Sequence, residues 1–431
     1  MPLPLSGLRV IDLGVVLAGP QAALMLGDLG AEVIRVESTQ AFAPLTRGLV
    51  ARPSREMVRT LPPIMGGYPG RDPGQRPWNR FPWFNTLARN KLSMTVDLRR
   101  PRGMEIMHRL LRISDCLLVN QRAGTMDEIG LGYEAAAAVN PRIVYVDASG
   151  FGATGPWSRY RAFGSQVEAV VGHDVLRHEP KGDIHSNSWT VAADAASGMC
   201  MAAAALMALW RREETGQGEY VDLSMAEVFL TNLGSIVLDQ AINGRCLGSL
   251  GNRDYTAIQG CYPCAGEDRW IVLTVCDDAA WAGLVRTIGR PEWEHDPAFA
   301  TAELRRANYD RIDEAITAWT RGLSRAEAVE RLRRNGVIAG PVLDDADAFH
   351  DPHLRARGFF LDIEQADAGR HDYPGPPYRL RGTPFRVRQS PVRLGEHNEY
   401  VYRELLGYSA DDYQQFIELG HVGTEYAPDI A

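Results

Sequence analysis

Short apolar runs alternate with amphipathic stretches along the first half of the chain, and clusters of Gly and Pro punctuate them. Leu8–Leu13 (LRVIDL) has the period of a strand, and GVVLAGP over 14–20 is a glycine-bounded turn. Gln21–Leu29 has helical spacing and stops at Gly30, and Ala31–Glu37 (AEVIRVE) is a second strand. Strand, turn, helix and strand make a βαβ unit, which implies a parallel sheet with a right-handed crossover. The same alternation predicts a strand at 94–98, a helix at 101–113 and buried strands at 115–119 and 142–147. The fold class is therefore α/β, with helices on the faces of a mostly parallel sheet.

The segment Ser38–Arg80 breaks this rhythm. It is rich in Pro, Gly and Arg, shows no period, and reads as a long loop. Further on, Asp194–Glu213 predicts an Ala-rich helix with arginines in its last turn. A strand follows at 221–224, and 244–252 is glycine-rich. Tyr262 and Trp270–Val275 suggest an antiparallel piece before a helix at 279–288. Residues 309–335 read as one charged helical stretch, 336–342 as a strand entering a turn, and 410–419 as a last helix. No internal repeat is visible.

The 431 residues exceed one small core, so two or three domains are expected. The net charge of −8 is spread along the chain, which argues against a nucleic-acid partner. It leaves anionic ligands open, because a site needs only a few local cations and amides. The six cysteines form no disulfide framework. The single C-x-x-C pair, Cys261 and Cys264, reads as two small residues near a strand, and no metal site is expected. The N-terminus lacks the cationic and apolar regions of a signal peptide. The longest apolar run, Met199–Trp210, is short of a membrane span, so no membrane partner and a cytoplasmic location are expected.

Three places could carry chemistry. The turn after the first strand has glycines at Gly14 and Gly19, the wrong spacing for a dinucleotide fingerprint even though Glu37 ends the second strand. Asp194 stands in VAADAASGM at the mouth of the Ala-rich helix, with two readings. It can be an N-cap. It can also be a carboxylate kept ionised by the helix N-terminus among small neighbours, and hence a nucleophile. The ten histidines are mostly isolated, and His173-Asp174, the one suggestive pair, reads as surface residues.

Several long motifs resemble one family in the right order. They are LSGLRVIDLGVVLAGPQAALMLGDLGAEVIRVE at the start, ARNKLSMTVDLRRPRG at 88–103, and EIGLGYEAAAAVNPRIVYVDASGFGATGPW at 128–157. VAADAASGMCMAAAALMALWRREETGQGEYVDLSM at 191–225 and GVIAGPVL at 336–343 complete the set. On these the chain is identified as similar to the class III CoA-transferases, the CaiB/BaiF family, which includes formyl-CoA transferase and the alpha-methylacyl-CoA racemases.

The resemblance implies a Rossmann-like large domain built from both chain ends (1–225 and 331–431) and a smaller α+β domain at 226–330. It implies two chains interlocked as a homodimer. It makes Asp194 the attacking residue, with coenzyme A and acyl-CoA as substrates, carboxylic acids as partners and no tightly bound cofactor. Asn120 and Gln121 fall where the family holds the nucleotide, and Arg161 near a basic residue that meets the CoA phosphates. Gly248 and Gly251 fall in the place of a mobile glycine loop. Leu17 stands where formyl-CoA transferase has a glutamine, which argues against formyl or oxalate specificity. Ser38 and Glu128 replace arginines seen in many members. The racemase branch would need a histidine where this chain reads Ala162-Phe163-Gly164, and a glutamate where it has Pro263. A non-catalytic CoA-binding dimer is the third alternative, and the presence of Asp194 weighs against it.

Overall fold

The computed structural model describes residues 2–430. Six parallel strands form its main sheet: β1 (Arg9–Asp12), β2 (Glu32–Glu37), β3 (Lys91–Thr95), β4 (Cys116–Val119), β5 (Val144–Ser149) and β6 (Glu219–Ser224). Their order is β3-β2-β1-β4-β5-β6. The order reverses between β1 and β4, and in such sheets ligands bind outside the carboxyl ends of the strands at that point.

Strand side chains alternate between two cores, as the period of two requires. Ile11, Ile34, Met94 and Leu117 pack on helix α2 (Pro101–Arg112) through Ile106, Met107, Leu110 and Leu111. On the other face, Val10, Val33, Leu118 and Val146 meet α1 (Ala18–Asp28) and the long helix α4 (Ala192–Thr215). Helix α3 (Gly164–Val170) packs beside the start of α4 and shares a small core of Ala18, Val167, Ala193 and Phe229. Helix α4 has 24 residues and is apolar enough to cross a membrane by length and composition, unlike the short run read from the sequence. Just over half of its apolar window (56%) is buried, against α1 and the sheet.

The chain divides into two units. The first comprises Met1–His173, Ser188–Arg245 and Gly358–Ala431, and the second Asp174–Asn187 and Cys246–Arg357. The second is bounded differently from the expected 226–330. Strand β9 (Ile338–Pro341) pairs antiparallel with β8 (Trp270–Val275), which pairs with β7 (Ile258–Pro263), so residues beyond 330 complete its sheet. Residues 226–245 group with the first unit, where Phe229 packs on Ala193 and Val167. Helices α5 (Asp278–Thr287), α6 (Tyr309–Thr320) and α7 (Arg325–Arg334) cover the second unit's core. The stretch 309–335 is thus two helices, because Ser324 and Glu327 form a capping box that starts the second.

Three other expectations are adjusted. Helix α1 begins at Ala18 rather than Gln21, with Pro20 in its first turn, where its missing N–H has no intrahelical role. Strand β3 begins at Lys91, three residues before Met94, because Lys91 and Ser93 are buried polar residues that break the apolar pattern. The loop 38–80 contains helical turns at Arg55–Thr60 and Pro63–Gly66.

Candidate active site

The turn at the end of β1 is held from below and from the side. Asp12 is fully buried; its Oδ1 accepts from the Gly14 N–H at 2.9 Å, and Lys91 Nζ donates to its Oδ2 at 2.8 Å. Lys91 also donates to the Pro20 carbonyl at 2.8 Å, and Arg35 pairs with Asp12 at 3.1 Å. Burial pushes the Asp12 carboxyl up, but Lys91 and Arg35 outweigh it and hold it below its ordinary range.

Across the switch point, Asn120 Oδ1 accepts from the Val15 N–H at 2.7 Å, and its Nδ2 donates to the Val15 carbonyl at 3.0 Å. Gln121 Nε2 donates to the Leu13 carbonyl at 2.7 Å. A Cβ on Gly19 would stand 2.7 Å from Asn120 Oδ1, so glycine there lets the amide reach the turn. These bonds fix Val16 at φ 59°, a left-handed conformation that strains a β-branched residue. Thr46 Oγ1 accepts from the Val16 N–H at 3.0 Å, and its neighbour Leu45 is also left-handed, at φ 65°. Arg47 anchors this second turn by a bidentate pair with Glu37, 2.7 Å on each arm, and stacks on Phe84.

Asp194 sits in the first turn of α4. Val191 occupies the cap position and no side chain caps the helix, so Asp194 is not the N-cap. Its carboxylate lies against the backbone of Gly164, at the start of α3, whose N–H favours the ionised form. A Cβ at 164 would lie 2.0 Å from Asp194 Oδ2. Asp194 is only 7% exposed. Burial, reinforced by the charge of Glu168, pushes its carboxyl up to about 6 against the Gly164 hydrogen bond. At neutral pH it is therefore ionised yet poorly solvated, the state in which a carboxylate attacks.

The contact between Glu168 and His173 was not read from the sequence. Glu168 is 1% exposed, and its Oε1 accepts from the Ala193 N–H at 3.2 Å, one residue before Asp194. Its Oε2 meets Thr190 Oγ1 at 2.6 Å and His173 Nδ1 at 2.9 Å. Burial pushes Glu168 up, and the bonds from Thr190, Ala193 and His173 together hold it below its ordinary value. His173, expected on the surface, has its ring edge against Phe229. Its spacing of five residues from Glu168 matches no helical contact pattern, so the pairing with Asp174 was weighed and this one was not.

The remaining candidates are dispersed. Leu17 is buried at the start of α1. Gln121, with Leu13, Val15, Ser38 and Arg99, lines a crevice of about 250 Å³ at the ends of the first strands. Arg161 is exposed near Glu128, which pairs with Arg122 at 2.8 Å and Arg159 at 3.3 Å. Gly248 and Gly251 belong to the second unit, Gly251 with φ 62° against Pro180. Cys261 and Cys264 are free thiols there.

A parallel doubly wound sheet, a crevice at its switch point and a buried, ionisable aspartate beside it define an α/β enzyme scaffold. Residues 5–398 match CoA-transferase family III. The chain is 32% identical over 412 residues to the succinyl-CoA–D-citramalate CoA-transferase of Chloroflexus aurantiacus, over 95% of this chain and 96% of that one. It is 30% identical over 408 residues to the beta subunit of the succinyl-CoA–L-malate CoA-transferase of the same organism, over 94% and 95%. Among solved structures, a CaiB/BaiF family protein from Brucella suis superposes with a TM-score of 0.80 at 27% identity, over 94% of this chain and all of that one. The protein belongs to CoA-transferase family III, and its activity is the transfer of coenzyme A.

Proposed function

We propose that the protein exchanges coenzyme A between an acyl-CoA donor and a carboxylic acid acceptor through covalent intermediates on Asp194. The observation that carries this reading is the Asp194 carboxylate itself, buried, packed against the Gly164 backbone and pushed up to about 6.

The Asp194 oxygen attacks the thioester carbonyl, and the carbon–sulfur bond breaks to release CoA thiolate and leave a mixed aspartyl anhydride. The thiolate attacks the aspartyl carbonyl, which frees the donor acid as its carboxylate and forms an aspartyl-CoA thioester. The acceptor carboxylate then attacks that thioester, giving a second anhydride and thiolate. The thiolate takes the acceptor acyl carbon and restores the Asp194 carboxylate. Each step replaces a reaction between two carboxylates by one on an activated acyl group. Oxyanions form at every step and require fixed donors.

The crevice holding Gln121 takes the CoA nucleotide, with Asn120 shaping the turn beside it and Arg161 near the phosphates. The switch-point position of Asn120 and Gln121 supports the assignment. Leu17, in place of a glutamine, leaves the start of α1 apolar. The working form is taken to be an interlocked homodimer in the cytoplasm. Asp194→Asn tests the reading: it is expected to abolish exchange between acyl-CoA and free acids while the fold persists, and an unchanged exchange rate refutes it.

A further inference from the structure

A cavity of about 220 Å³ opens against Asp194. Its walls are Val16, Leu45, Met65, Trp83, Trp189 and Val191, together with Phe163. The indoles of Trp83 and Trp189 lie 5.9 Å apart with 46° between their planes, offering aromatic surface to an apolar guest. The polar members of the wall are few. Gln166 spends its Oε1 on the Phe163 N–H at 2.7 Å, and Ser165 is the other. Among the described residues that line it there is no Lys, Arg or His, and its one charge is Asp194.

The cavity and the nucleotide crevice share a wall. Val15 faces the crevice, and Val16, the next residue, lines the cavity. A thioester whose CoA arm comes from the crevice across this turn meets Asp194 with its acyl body on the cavity side. Both left-handed residues of the region, Val16 and Leu45, line the cavity, and their strain is held by Asn120 and Thr46. The apolar shape is thus fixed before any ligand arrives.

We infer that this cavity selects acids with a single carboxylate and an apolar branched or aromatic body, unlike the dicarboxylic substrates named for the relatives above. A free second carboxylate would enter an apolar space beside the Asp194 carboxylate with no cation to meet it. Desolvation and like-charge repulsion both oppose that. The inference rests on the transferase reading of Asp194 and adds its substrate class.

The test compares kcat/KM of the full-length protein for phenylacetyl-CoA and isovaleryl-CoA with that for succinyl-CoA and malyl-CoA, each against the branched monocarboxylate isobutyrate as acceptor. The apolar donors are expected to be favoured by about 100-fold or more. Trp189→Arg, which adds a guanidinium to the cavity wall, is expected to narrow that ratio by at least about tenfold. Equal or better turnover of the dicarboxylic donors by the unmodified protein overturns this inference and leaves the transferase reading standing. No turnover of any donor overturns the transferase reading itself, and this inference with it.

Discussion

The Asp194 carboxylate packs against the backbone of Gly164, whose N–H favours its ionised form, and position 164 has no room for a side chain: a Cβ there would stand 2.0 Å from Oδ2 and 2.7 Å from Cγ. The start of helix α3 therefore limits where the Asp194 carboxylate can sit. Gly164→Ala is expected to displace the carboxylate while leaving both helices folded. A displacement of about 1 Å can cost on the order of 100-fold in rate. Steady-state kinetics combined with a thermal melt check this: a fall in kcat with little change in Tm is expected, and unchanged kcat argues against a fixed carboxylate.

The carboxyl of Asp194, pushed up to about 6 by burial and by Glu168, is expected to set an acid limit on activity if it is the proposed nucleophile. The attacking form is the carboxylate, so kcat/KM is expected to fall roughly tenfold per pH unit below about 6. The stability effect has the opposite sense. Because the folded value lies above the ordinary aspartate value of 3.8, the fold favours the protonated form. The cost of the ionised side chain is absent below about 3.8, grows between about 3.8 and 6, and is complete above that. Asp194→Asn, which cannot ionise, is expected to be more stable than the parent at pH 8 by up to about 3 kcal/mol. Urea titrations of both proteins at pH 5 and pH 8 check this, with the gap wider at pH 8.

Glu168 raises the Asp194 carboxyl through its charge and also binds the amide of Ala193. Glu168→Gln keeps an acceptor oxygen for that amide and removes the charge. The acid limb of the pH profile is expected to move below about 6, though not to the ordinary aspartate value, because burial is the larger cause. A limb that stays put, or moves up, shows that the charge of Glu168 does not reach Asp194.

The strand pattern and the βαβ opening were legible because alternate residues of each strand, such as Val10 and Ile11, feed two different cores. Asp194 was legible from its small neighbours and its place at a helix mouth, although Val191 takes the cap position. The pairing of Glu168 with His173 was not, since a turn after α3 rather than a helical repeat brings them together. The Asp12–Lys91 pair joins residues 79 apart in sequence, and a lysine inside a strand reads as a strand end. The start of the second capped helix at Ser324 was hidden because the charged pattern runs through it.

That buried Asp12–Lys91 pair anchors the turn that carries Val15 and Val16. Lys91→Met leaves Asp12 with Arg35 alone in a buried site. Breaking a buried pair on one side costs about 3–5 kcal/mol. A urea midpoint shift of that size is expected, and a shift under about 1 kcal/mol means the pair contributes little beyond a hydrophobic replacement.

The central claim is a covalent bond to one side chain. The most direct measurement is mass spectrometry of the peptide containing Asp194 after incubation with phenylacetyl-CoA or another accepted acyl-CoA and rapid quenching. The mass of a CoA thioester or of an acyl group on Asp194 is expected, and none on Asp194→Asn. Complete turnover with no adduct at that residue under any quenching condition would contradict the account.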